Sequence, residues 1–248
     1  HVSIAGDSLL VTNYGGGTVA ALPIQPDGSL GPATGFAQHE GSGPTARQAG
    51  PHPHSALYSS GFVYVPDLGL DRVVIYRLVE GELIPASFAA LPPGSGPRHL
   101  AAGSGDRLLY LVNELNSTVT VFQRDGETGA LEAVQTVSTL PAGYAGINYP
   151  ADIHLHPSGR FLYVSNREHD SIALFLVEAQ SGLLSPAGHF PSGGRWPRSF
   201  GIDPTGRFLV AAHQKSDSVV SLAIDQASGA LTPTGHSLSI PVPVCVRF

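Results

Sequence analysis

Phe161-Leu162-Tyr163-Val164-Ser165-Asn166 decides the fold, because the chain repeats it. Runs of the same kind, apolar and ending in a polar residue, occur at Leu9-Leu10-Val11-Thr12-Asn13, Phe62-Val63-Tyr64-Val65-Pro66-Asp67, Leu108-Leu109-Tyr110-Leu111-Val112-Asn113 and Phe208-Leu209-Val210-Ala211-Ala212-His213. Six positions past each end residue stands Val19, Val73, Val119, Ile172 or Val219, opening a second strand-like run. The end residues Asn13, Asp67, Asn113, Asn166 and His213 are 54, 46, 53 and 47 residues apart. The third copy reads as four short strands, Arg98 to Ala102, Leu108 to Asn113, Thr118 to Arg124 and Leu131 to Ser138, separated by Gly-rich turns. β-Branched and aromatic residues fill the runs, and no segment keeps the 3.6-residue period of a long helix. Four strands per unit of about 40–50 residues is the signature of a β-propeller blade. The expectation is an all-β chain, a single β-propeller domain with blade repeats at 1–41, 51–95, 96–141, 150–194 and 196–240 and a closing inner strand at 241–248.

Counting back fifteen residues from each end residue gives His52, Arg98, Ala151 and Arg198 as starts of innermost strands, each preceded by proline. For the first copy the count falls before His1, so that blade is expected to lack its beginning. Pro241 to Phe248 resembles an inner strand with no sheet of its own, and a strand left unpaired exposes backbone edges. Two further blades would complete a seven-bladed ring; five blades closing on themselves are the alternative. With no methionine anywhere, the sequence is expected to be part of a longer chain.

Of 248 residues 42% are hydrophobic and only 13% charged, against roughly 25% charged in average domains. The net charge of −6 opposes nucleic-acid binding, which needs a basic face. No apolar run approaches the ~18 residues of a membrane span, so no membrane partner is expected, and a soluble, cytoplasmic protein is. A lone cysteine, Cys245, excludes an internal disulfide. Twelve arginines against one lysine, Lys215, favour bidentate recognition of carboxylate or phosphate.

In a four-strand meander the start of the first strand and the end of the second share one face. That gathers His52, Arg98 and Arg198, with His54, His99 and Asp152 beside them. It also gathers the end residues, followed by Tyr14, Glu114, Arg167 and Gln214. The extra-long connections, around 39–50 and 141–149, fall on the same face. Arginines, histidines and a carboxylate around one mouth suit a small anion. Structural readings stand beside this one. Arg98 and Glu114 suit a structural ion pair, and the Asn/Asp end residues, like Asp71, Asp170 and Asp217, suit turn capping. Trp196 suits either a pocket wall or packing between blades. Pro51-His52-Pro53-His54 has metal-ligand character but no acidic pair nearby, so no metal is expected. The Asn116-Ser117-Thr118 triplet is read as accidental.

The motifs together resemble the 6-phosphogluconolactonase family of seven-bladed propellers, which includes carboxymuconate-lactonizing enzymes. They are Pro51-His52-Pro53-His54, Asp67 to Val73, Gly96-Pro97-Arg98-His99, Asn113 to Val119, Ala151-Asp152-Ile153-His154-Leu155, Ser165 to Ile172, Pro197-Arg198-Ser199-Phe200 and Pro241 to Val246. The resemblance implies that roughly two blades precede this stretch. It marks His52 or His54, Arg98, Glu114 and Arg167 as catalytic. One departure is His213-Gln214, where the family more often has asparagine before glutamine.

The implied reaction is hydrolysis of 6-phospho-D-glucono-1,5-lactone in the pentose phosphate pathway, without metal or organic cofactor. Glu114 is then the base candidate, with His52 or His54 as alternative base or as acid. Arg98 and Arg167 would hold the oxyanion or a carboxylate, and Arg198 and His99 the phosphate. Asp152, His154 and Gln214 are further substrate-binding candidates. The alternatives are a carboxymuconate cycloisomerase and a non-catalytic platform for an acidic protein partner.

Overall fold

Near-continuous apolar runs form the middle strands, covered on both faces, and more polar, largely exposed strands flank them on the outside in the structure, a computed structural model describing residues 1–248. Twenty strands make five four-stranded antiparallel sheets, each a meander in chain order. The first holds β1 (Val2–Ala5), β2 (Ser8–Asn13), β3 (Thr18–Pro23) and β4 (Gly35–Gln38); the second β5 (Leu57–Ser59), β6 (Phe62–Asp67), β7 (Arg72–Val79) and β8 (Glu82–Ala90). The third holds β9 (Pro97–Ala102), β10 (Leu108–Asn113), β11 (Thr118–Arg124) and β12 (Leu131–Ser138). The fourth holds β13 (Tyr149–Leu155), β14 (Phe161–Arg167), β15 (Ser171–Val177) and β16 (Leu184–Pro191). The fifth holds β17 (Pro197–Ile202), β18 (Phe208–His213), β19 (Ser218–Ile224) and β20 (Leu231–Ser239). The all-β expectation of four-stranded blades holds, and the helical content is two short 3₁₀ turns, Ala46–Gln48 and Ser104–Asp106.

The chain divides into two compact units, 1–116 with 122–134, and 117–121 with 135–248. In the first unit β6 shows why its run is apolar throughout. Val63 and Val65 enter a core with Leu10, Val19 and Tyr76, while Phe62 and Tyr64 enter a second with Leu109, Leu111 and Phe122. Successive side chains of a strand face opposite ways, so one strand feeds two cores. Tyr64 is fully buried and donates its hydroxyl proton to the carbonyl of Gly129 (3.1 Å). Gly129 has φ of +72°, and a Cβ there would lie 2.5 Å from the Phe62 ring, so only glycine fits. The second unit repeats the device: Phe161, Tyr163, Phe200, Leu209 and Leu222 share a core, and Tyr163 donates to Gly229 (2.8 Å).

Four residues past each end residue the backbone turns left-handed, at Gly17, Asp71, Ser117, Asp170 and Asp217. The three aspartates were expected to cap turns at the starts of their own third strands. Instead they immediately precede those strands and hold the chain leading onward. Asp71 accepts the backbone N–H groups of Gly94 (2.7 Å) and Gly96 (2.8 Å), Asp170 that of Trp196 (2.7 Å), and Asp217 that of Val242 (2.9 Å).

Three other expectations change. The first sheet has its innermost strand, shortened to the four residues of β1. Residues 241–248 form no strand: Pro241 and Pro243 bring no N–H for a ladder, and Val242 and Val246 donate to side chains, Asp217 and Ser199. His52 and His54 precede the short β5 rather than lying in it, with Pro53 bridged to Asp67.

The end-residue column does cap. Asn13 donates to Thr18 Oγ1 (2.9 Å), and Asn166 to the carbonyl of Thr139 (2.8 Å). His213 breaks the pattern: it is fully buried, and neither ring nitrogen has a hydrogen-bond partner of ordinary geometry. Burial holds this imidazole below its usual range, against weaker opposing effects of the Ser218 and Ser192 backbone and the Asp170 charge. His169 is held low likewise, by burial and by His189.

Two outcomes are expected. Asp71→Ala strands two N–H groups and puts alanine at φ of +50°, and should lower unfolding free energy in urea by about 3 kcal/mol; a loss below about 1 kcal/mol would contradict the clamp. For His213 the unfolded chain takes up the proton first, so stability is whole above pH of about 6.5 and declines below it, toward the lower value of the folded state. His213→Asn, which cannot titrate, should therefore lose less melting temperature between pH 7 and pH 5 than the parent, and equal slopes would refute this.

Candidate active site

One extra residue on the innermost strand builds the site. In the third sheet Val112 pairs with His99 but Asn113 with Pro97, so Arg98 is bulged out of the ladder. The same shift falls between Pro150 and Ile153 and between Pro197 and Ser199, at Ala151-Asp152 and Arg198. The second sheet has it between Pro53 and Leu57, around His54. A bulge re-aims side chains that strict alternation would send to one face or the other. Three of the expected positions, Arg98, Asp152 and Arg198, are thus delivered by one kind of backbone irregularity.

In the first unit Arg98 and Glu114 meet. Both side chains are 3% exposed, and Arg98 Nε donates to Glu114 Oε2 at 3.0 Å. Glu114 directly follows the end of β10, and its N–H donates to the carbonyl of Gly96 (2.7 Å), the residue held by Asp71. The other carboxylate oxygen, Oε1, accepts from Arg47 Nη2 at 2.7 Å. Arg47 comes from the connection between the first two sheets, and its side chain is 49% exposed. Burial alone would lower its affinity for the proton, but the hydrogen bonds to Tyr14 and Glu114 raise it above the usual guanidinium range.

Arg47 Nη2 also reaches the hydroxyl of Tyr14 (3.5 Å), and the Tyr14 ring gathers the histidines. His52 stacks on it at 4.3 Å between centroids and 7° between planes, and His54 meets it edge-on at 5.3 Å. His99 lies edge-on to His54 at 5.0 Å. His52 Nδ1 faces the Tyr14 carbonyl (2.9 Å), which can only accept, so Nδ1 carries the hydrogen and Nε2 is the basic nitrogen of the neutral ring. The His52 backbone is fixed by Asp67, whose Oδ1 accepts the N–H groups of His52 (2.7 Å), Gly69 (2.9 Å) and Leu70 (3.2 Å). Asp67 Oδ2 in turn faces His39 Nδ1 (2.6 Å), and His39 Nε2 the Tyr76 hydroxyl (2.8 Å). Burial, aided by the Asp67 charge, pushes that phenol up to about 12, so it keeps its proton.

The second unit arranges its candidates differently. Arg167 is buried and donates from Nε to the carbonyl of Tyr149 (2.8 Å) and from Nη2 to that of Pro150 (3.4 Å). Its guanidinium lies 5.3 Å from the Trp196 ring centre, and Lys215 Nζ lies 3.3 Å from it, so the indole carries two cations. Asp152 accepts from Ser199 Oγ (3.0 Å) and from the Phe200 N–H (3.3 Å), tying β13 to β17, and stands 3.4 Å from His154 Nε2. Arg198 is half-buried at its bulge. Gln214 donates its backbone N–H to the Trp196 carbonyl (3.1 Å), while its side-chain Oε1 is buried without a hydrogen-bond partner.

Sequence reasoning missed Arg47, and it took Asp67 for a turn cap without its hold on His52. Arg47 lies outside the repeated register, and the only hint of it was the extra length of the 39–50 connection.

The chain is similar to proteins already known. Residues 1–248 match the family described as "Lactonase, 7-bladed beta-propeller". A 6-phosphogluconolactonase of Bacillus subtilis is 37% identical over all of this chain and 72% of its own length. One from Pectobacterium carotovorum is 38% identical over 77% of this chain, which spans 57% of that relative. Among solved structures, the periplasmic gluconolactonase of Pseudomonas aeruginosa superposes over 98% of this chain and 70% of its own, with a TM-score of 0.92 and 38% identity. A Lactobacillus plantarum protein superposes with a TM-score of 0.94 and 35% identity, over 99% of this chain and 72% of its own. Matched over its whole length and built of the repeated four-stranded sheets described above, the chain belongs to the lactonase family of seven-bladed β-propellers.

Proposed function

We propose that this chain carries the catalytic apparatus of a lactone hydrolase whose substrate is 6-phospho-D-glucono-1,5-lactone. The observation behind this reading is Glu114, a buried carboxylate held between two guanidinium groups next to a histidine cluster. Relatives named 6-phosphogluconolactonase support the substrate, and a solved gluconolactonase supports the reaction on the sugar lactone more broadly.

Hydrolysis needs a base for the attacking water, donors for the oxyanion at the carbonyl, and a proton for the departing ring oxygen. Glu114 accepts the water proton as the oxygen attacks the lactone carbonyl. Arg98, anchored on Glu114 Oε2, stabilises the charge that develops on the carbonyl oxygen. As the C–O bond of the ring breaks, a histidine of the Tyr14 cluster, His52 or His54, acting as imidazolium, protonates the leaving oxygen, and the proton that Glu114 took from water then passes through solvent to that imidazole and restores both groups. The product is a hydroxy acid, whose carboxyl group then ionises and releases one proton. His99 beside His54 is a substrate contact. A catalytic anion-binding role for Arg167, and binding roles for Asp152, His154, Arg198 and Gln214, follow the family resemblance. The cytoplasmic setting belongs to the same proposal.

The test is hydrolysis of the phosphorylated lactone above its spontaneous rate, run beside a carboxymuconate cycloisomerase substrate. Glu114→Gln should lower kcat by about 10²-fold or more while the melting curve stays cooperative, and Glu114→Asp, which keeps the charge, guards against a folding artefact. A parent-like rate in Glu114→Gln would remove Glu114 as the base. His52→Asn and His54→Asn, compared in the same assay, should separate the proton donor from its neighbour. Only the donor variant should lose kcat by about 10²-fold, and parent-like rates in both would remove the pair from the chemistry.

A further inference from the structure

Both oxygens of the proposed base accept from a guanidinium group, so Arg47 occupies one of the positions from which the carboxylate could take a proton from water. The two partners differ in how firmly they are held. Arg98 is buried beside Glu114 on the neighbouring strand. Arg47 is half in solvent, where screening weakens an ion pair and where an incoming ligand arrives.

Its backbone, by contrast, is fixed. The next residue, Gln48, is fully buried, and its Nε2 donates to the Leu68 carbonyl (2.9 Å) while its Oε1 accepts from Thr45 N (3.3 Å) and Thr45 Oγ1 (3.0 Å). The Gln48 carbonyl accepts the Gly43 N–H (2.8 Å), closing the turn on this plug. A turn anchored in this way presents a long, half-exposed cation to the carboxylate. A phosphate offers several oxygens to one guanidinium fork and can engage it bidentately.

We infer that Arg47 determines specificity by exchanging partners: it leaves Glu114 Oε1 for the anionic group of the incoming lactone, and that exchange uncovers the base. Arg98 keeps Oε2 throughout and holds the carboxylate in place. No bond beyond hydrogen bonds is made or broken in the exchange. The inference rests on the assignment of Glu114 as base, and it adds that anion binding and base activation are one event.

Steady-state kinetics of the parent, Arg47→Ala and Arg47→Lys on 6-phosphogluconolactone and on unphosphorylated gluconolactone test it. In Arg47→Ala the preference in kcat/KM for the phosphorylated over the neutral lactone should fall about tenfold or more, with Arg47→Lys between the two. Equal losses on both substrates would make Arg47 a mere support for Glu114 and overturn the inference, as would no loss on either. If the parent hydrolyses neither lactone, the proposed function fails. Calorimetric binding of 6-phosphogluconate and gluconate then decides Arg47 by itself. A loss of affinity of about tenfold in Arg47→Ala, for the phosphorylated ligand alone, supports the exchange, and equal affinities overturn it.

Discussion

A carboxylate taken out of water is tolerated only when opposite charge meets it with good geometry, and Glu114 meets that condition twice. Desolvation would cost several kcal/mol if it stood alone, and removing one partner of such a buried pair typically destabilises by about 3–5 kcal/mol. The rest of the first unit's site is arranged around satisfying this group. Arg98 has to leave the regular ladder to reach it, Gly96 has to accept its N–H, and the 39–50 connection has to carry a second cation across.

The sheet architecture supplies those conditions with repeated parts. A one-residue bulge on the innermost strand turns a side chain out of the alternation, and it does so at matching places in the third, fourth and fifth sheets. The left-handed aspartates after three of the second strands then reach forward to the backbone of the chain leading onward, as Asp71 does to Gly94 and Gly96. Rigid two-faced cores lie under these ends, so the chemistry sits on short loops held by packed strands. The second unit uses the same parts to different effect, giving Arg167 to two carbonyls and an indole face.

Much of this could be read from residues alone. The strands of the third sheet agree with the expected spans to within one residue, because Gly-rich turns bound its runs and β-branched and aromatic residues fill the middle two. The pairing of Arg98 with Glu114 was open to view because both hang on neighbouring strands at matching offsets from Asn113. The bulge was not, since one added residue inside a strand leaves the spacing of end residues untouched. Nor was Arg47, whose partner lies 67 positions away and whose turn is set by the burial of Gln48. His213 shows the opposite case: the sequence singled it out as a departure, and neither of its ring nitrogens caps a turn as Asn13 and Asn166 do.

The account turns on Glu114 facing the lactone carbonyl once an anionic ligand has drawn Arg47 aside. A crystal structure of Glu114→Gln trapped with the phosphorylated lactone measures this directly. The account predicts the phosphate on Arg47, Arg98 still beside residue 114, and the carbonyl carbon within one water of that side chain. A lactone bound elsewhere, with Arg47 and Arg98 still bridged by the side chain at 114, would contradict it.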